Sequence, residues 1–90
     1  MANLHLSIIT PNGKVFDESV ESVSVPGEEG SVGILANHAP FVTTLKDGTI
    51  EVRQNQSMER FNIKSGILEV DVGSEVLILV DQAIKVDKTR

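Results

Sequence analysis

His5 and His38 are the only two histidines of this chain, and it has no cysteine. A zinc site needs three or four convergent His, Cys or carboxylate ligands. Neither histidine has a second ligand at the required spacing, so the sequence assigns no metal and no cofactor. Two carboxylate pairs, Asp17-Glu18 and Glu28-Glu29, are consecutive residues. On extended backbone such neighbours point to opposite faces, which leaves no shared proton for acid-base work. No serine stands in a Gly-x-Ser-x-Gly context, so a nucleophile elbow is absent. Gly27, Gly30 and Gly33 repeat every third residue. That spacing is neither the dinucleotide fingerprint nor a phosphate loop, no Lys-Ser/Thr pair follows, and Glu28 and Glu29 repel an anion. Catalysis is the weakest reading. The glycines speak of tight turns, bulges or close backbone approach.

The elements around these residues read as strands. Leu4, Leu6 and Ile8 alternate with His5 and Ser7; Val23 and Val25 with Ser22 and Ser24; Ile50 and Val52 with Glu51 and Arg53. Phe61 and Ile63 alternate with Asn62 and Lys64, and Leu68, Val70 and Val72 with Glu69 and Asp71. Each pattern places one face on a core and one in water. The run Val76 to Val80 has no polar face, which predicts a strand covered on both sides. Asn12-Gly13 and Asp47-Gly48 are the strongest hairpin-turn signals, with Pro26-Gly27 and Gly73-Ser74 weaker. No amphipathic helix appears. In Ala39 to Leu45, a core-facing Phe41 turns Val42 outward beside Ala39 and Pro40, and an apolar outer face marks a protein interface.

The 90 residues make one domain, residues 1–86, with a short tail over 87–90. No stretch reaches the about 20 apolar residues of a membrane-spanning helix. The N-terminus lacks the basic start and apolar stretch of a signal peptide, which makes the cytoplasm the default location. A net charge of −5 disfavours nucleic acid and an anionic membrane surface alike. A membrane location has to come through a protein partner.

The segment Val25-Pro26-Gly27-Glu28-Glu29-Gly30-Ser31-Val32-Gly33-Ile34-Leu35-Ala36-Asn37-His38-Ala39-Pro40 resembles the N-terminal β domain of the epsilon subunit of F-type ATP synthases. The resemblance continues in order: Leu4 to Pro11, Val15-Phe16, Val20 to Val23, Thr43 to Gly48, Gly66 to Val70, and Val80 to Ala83. It implies an all-β sandwich of about ten short strands in two aligned sheets. It also implies a non-catalytic rotor subunit of the central stalk, which couples ion-driven rotation to ATP synthesis elsewhere in the complex. The implied partners are the gamma subunit and the c-subunit ring, at the cytoplasmic face of a bacterial plasma membrane. Glu28, Glu29, Gly30 and Ser31 then belong to a ring-facing loop. Thr10, His38, Ala39, Phe41, Val42 and Thr43 belong to the gamma-facing side. Four positions depart from the family pattern: Ser31 replaces a frequent acid, Ala36-Asn37 replaces Pro-Gly, and Asp47 replaces a frequent Pro. Longer members continue into a helical hairpin, whereas this sequence runs out at Val86 to Arg90; the expectation is no ATP binding and no hairpin-based inhibition. The competing reading is a generic β-sandwich interaction module of another complex.

Overall fold

The computed structural model describes residues 3–86. The tail over 87–90 lies outside them. Eight strands follow one another: β1 (Leu4–Thr10), β2 (Gly13–Val20), β3 (Ser22–Gly27), β4 (Gly30–Leu35), β5 (Phe41–Leu45), β6 (Gly48–Gln54), β7 (Ser57–Asp71) and β8 (Glu75–Lys85). They replace the about ten short strands expected. The difference lies at the C-terminal end, where β7 spans 15 residues and β8 spans 11.

These two strands join the layers of the sandwich. Their antiparallel register stays the same from Phe61↔Lys85 to Asp71↔Glu75, with a gap in the pairing only at Ser65. The second half of β7 lies between β8 and β5 in one layer, and β1 and β2 continue that layer beyond β8. The first half of β7 pairs with β6, which leads through β3 to β4 in the other layer. Both layers contribute to one core, with Leu6, Ile8, Leu68 and Ile78 from the first and Val23, Ile34, Ile50 and Val52 from the second. All eight are buried aliphatics on the inward positions of their strands, as the period-2 pattern requires. Phe16 of β2 meets Phe61 of β7 edge to face, with centroids 5.7 Å apart, which closes the sandwich at one side.

Glycines set where the layers come close. A Cβ at Gly66 would collide with the Leu79 carbonyl oxygen and stand 2.9 Å from the Val80 Cα. Asp47-Gly48 is not the hairpin turn its composition suggests. Strands β5 and β6 both pair with β7 in one register, Leu45↔Gly66 and Gly48↔Ile63, so the chain steps from one layer to the other there. Asp47 Oδ1 accepts the Ser65 amide at 2.9 Å, filling the gap in the ladder. Gly48 is needed for contact, because a Cβ there would lie 2.9 Å from Pro26 Cβ.

The run Val76 to Val80 also departs from expectation. Val76, Ile78 and Val80 are buried, but Leu77 is half-buried and Leu79 is 43% exposed. Among the described residues one face of β8 therefore remains uncovered.

Candidate partner-docking surfaces

The first surface is the outer face of the β1-β8-β7-β5 layer. Cross-strand pairing places Ile9 beside Leu79, and Leu79 beside Ile67. One register step along, Leu77 neighbours Glu69, and Glu69 neighbours Val42. Val42 is 66% exposed and Ile67 is 45% exposed. Thr10 stands at the end of this apolar stripe, where it lines a shallow concavity with Ile9, Ile67 and Leu79. Its hydroxyl donates to the Gly13 carbonyl and accepts the Asn12 amide at 3.1 Å, which fixes the β1-β2 turn.

The second surface begins at the two-residue connection Glu28-Glu29. Gly27 pairs with Gly30 across it, and Gly30 has φ 131, a backbone conformation that side chains other than glycine rarely adopt. Glu28, Glu29, Gly30 and Ser31 are all exposed. Phe41 and Thr43 line the same concavity as this loop. The gamma-facing residues expected from the sequence thus divide. Thr10 and Val42 belong to the apolar sheet face, whereas Phe41 and Thr43 turn the other way, toward the acidic hairpin.

His38 and Ala39 sit in the connection between β4 and β5. The His38 ring lies 5.7 Å from that of Phe41, and its Nδ1 donates to the Ala39 carbonyl oxygen at 2.7 Å. Asn37 holds the loop. Its φ is 66, in the left-handed region that Asn tolerates best among non-glycine residues, so the turn survives without the family's glycine. The Asn37 amide donates to Ser74 Oγ at 2.8 Å. Ser74 itself has φ 62, and its carbonyl accepts the His5 amide at 2.8 Å. Asn37 and Ser74 therefore tie the β4-β5 connection to the β7-β8 turn and to β1.

Sequence reading missed the cluster around His5. Its Nε2 lies 2.5 Å from Asp17 Oδ1 on β2, and its Nδ1 lies 3.1 Å from Glu75 Oε1 on β8. Lys14 Nζ donates to the other oxygen of Asp17 at 2.9 Å. The two ring nitrogens face different carboxylates, so the ring is a bridge across three strands. Among the described residues no group of three or more His, Asp or Glu is placed to hold a metal ion. The Glu75 hydrogen bond, with help from Asp17, raises the His5 pKa above its ordinary value; Lys14 first and His5 second lower that of Asp17. A raised imidazole value stabilises the fold below about 6.5 and loses that contribution as pH rises through the folded-state value. A lowered carboxylate stabilises above its ordinary value and is lost as pH falls through the folded-state one. The bridge is therefore strongest in the window between the two. In a proton-NMR titration, His5 is expected to titrate above the ordinary imidazole value, and Glu75→Gln is expected to bring it back down. An unchanged His5 value in that variant would remove Glu75 as the main cause.

A β domain with an apolar outer sheet face and loop-borne polar contacts has the surface of a subunit within an assembly. The family comparison agrees. Residues 3–86 match the family described as ATP synthase, Delta/Epsilon chain, beta-sandwich domain, and the chain belongs to that family. It is 43% identical over 86 residues to the ATP synthase epsilon chain of Caulobacter vibrioides, covering 94% of this chain and 98% of that one. It is 42% identical over 87 residues to the epsilon chain of Campylobacter curvus, covering 96% of this chain and 67% of that one. Its fold superposes with TM-score 0.90 on a chain of the Euglena gracilis mitochondrial ATP synthase at 24% identity, covering 97% of this chain and 57% of that one.

Proposed function

We propose that this chain is a non-catalytic central-stalk subunit of an F-type ATP synthase, coupling ring rotation to ATP synthesis on other subunits. The observation that carries the reading is the uncovered apolar stripe of Ile9, Leu79, Ile67 and Val42 on a chain of the epsilon family. Isolated apolar residues are normal on a surface, but Ile9, Leu79 and Ile67 side by side on three strands, with Val42 diagonally beyond on the fourth, call for a partner. The gamma subunit takes that role here, with Thr10 at the stripe's end and His38 and Ala39 on the loop that leads into β5. The exposed Glu28 to Ser31 hairpin faces the c-subunit ring. Its acidic pair compensates for Ser31, where the family often has an acid. The domain itself holds no ATP and enters no bilayer. It sits peripherally, at the cytoplasmic face of the membrane, because its partners are there.

The reading is tested by reconstitution. Membrane vesicles carrying an ATP synthase stripped of its epsilon-type chain are supplied with this one. The expected result is binding to the gamma subunit and recovered coupling between ion flow and ATP synthesis. Failure to associate with either gamma or the ring would overturn it.

A further inference from the structure

The strand order ends at β2 on one side and β4 on the other. An open strand edge invites pairing by another chain, and proteins blunt such edges with charge, proline or a bulge. The β2 edge is blunted. Lys14, Asp17 and Glu18 are exposed along it, and its register with β1 shifts between Ile8 and Ile9. The β4 edge is not. Gly30-Ser31-Val32-Gly33-Ile34-Leu35 has no charge and no proline, and it pairs β3 without a shift from Ser22↔Leu35 to Gly27↔Gly30. Among the described residues no strand pairs its other side.

Gly33 gives a second, independent observation. Of the 7 glycines, Gly13, Gly30 and Gly73 have positive φ. At Gly27, Gly48 and Gly66, an added Cβ would collide with atoms of this chain. Gly33 has neither reason: its φ is not in the left-handed region, and a Cβ there would meet nothing within 4 Å. Glycine inside a strand weakens it and gives it no side chain to pack, and it marks places where another backbone comes close. Among the described residues nothing comes close to the Cβ site of Gly33, so no contact within the domain calls for a glycine there, and the edge carries no side chain at that point to crowd an incoming strand.

The chemistry of the occupant follows from the charge at the head of the edge. Glu28 and Glu29 are exposed and take part in none of the ion pairs among the described residues. A second copy of this chain is disfavoured, since each copy carries −5 and β4 supplies no cation to meet the acids. We propose that the β4 edge accepts an extended segment of a partner protein as an added strand, with a Lys or Arg of that segment beside Glu28 and Glu29. Backbone hydrogen bonds along the edge give the attraction, and the acidic pair selects the partner. The open edge and Gly33 stand apart from the ATP synthase reading, whereas Glu28 and Glu29 are shared with its ring-facing hairpin, so the test below uses the isolated chain with peptides and no ring.

The test is amide hydrogen exchange of the full chain with two acetylated peptides, Lys-Val-Thr-Val-Thr-Val-Lys and its counterpart with Glu for both lysines. The lysine peptide is expected to slow exchange across Gly30 to Leu35 by about tenfold or more while leaving β2 unchanged, since exchange reports local opening. The glutamate peptide is expected to do nothing. Gly33→Pro, which removes a backbone donor from the edge where the added ring meets open space, should lose the protection. The double variant Glu28→Lys, Glu29→Lys changes only exposed loop residues and should lose the response to the lysine peptide. No slowing with the lysine peptide, equal slowing with both peptides, or protection retained in both variants would each overturn the proposal. So would protection without peptide that grows with protein concentration alongside a dimer in sedimentation, which would assign the edge to a second copy.

Discussion

Gly66→Ala is expected to destabilise the domain by about 3 kcal/mol or more, at the upper end of what overpacking costs. The new methyl carbon has nowhere to go. It points at the Leu79 carbonyl oxygen and lies 2.6 Å from Val80 Cγ1 and 2.9 Å from Val80 Cα. Two of those three atoms are backbone, so no side-chain rotation relieves the clash. Relief requires β7 and β8 to separate where Gly66 pairs with Val80, in the register that joins both layers. Small domains have roughly 5–15 kcal/mol of total stability, so one such change takes a large share of it. The melting temperature should fall by roughly 10 °C or more. Gly33→Ala is the matched control, because its Cβ meets open space. Equal melting temperatures for the two variants would mean that β7 and β8 tolerate a wider spacing than the structure shows.

The strands were legible because one face of each is apolar and the other polar. Leu4-Leu6-Ile8 and Phe61-Ile63 alternate cleanly, and all five are buried. The length of β7 was not legible, because the apolar alternation changes parity between Phe61-Ile63 and Leu68-Val70, which separates them into two patterns. In the structure the Ser65 amide finds Asp47 and Gly66 finds β8, so the strand runs through. Asp47-Gly48 failed as a hairpin signal for a related reason. Turn composition is a local signal, while the tertiary contact with Pro26 is what needs the glycine. His5 was passed over because its carboxylates lie 12 and 70 residues away in sequence.

The docking face was half legible. Val42 was placed outward from the alternation of its own strand, and so it stands. Ile9, Ile67 and Leu79 were missed, although each breaks the alternation with an apolar doublet: Ile8-Ile9, Ile67-Leu68, Ile78-Leu79. An apolar residue at an outward position is ambiguous within one strand. It becomes informative only when register shows that Ile9, Leu79 and Ile67 stand side by side.

That adjacency sets the second large effect. Replacing Ile67 with Lys and Leu79 with Glu is expected to weaken association with the gamma subunit by about 4 kcal/mol, on the order of a thousandfold, since a buried apolar anchor contributes about 2 kcal/mol or more. The fold should survive. Both side chains are nearly half exposed in the free chain, and surface changes of this kind usually move stability by about 0.5 kcal/mol. The two substitutions also face each other across β7 and β8, so their opposite charges meet as a favourable cross-strand pair. The measurement is calorimetric titration of each variant against purified gamma subunit, beside thermal melts of the variants alone. Tight binding retained by a folded double variant would move the gamma contact off this face and onto the other gamma-facing residues, His38, Ala39, Phe41 and Thr43. Lost binding together with a lost melting transition would assign the effect to the fold instead of the interface.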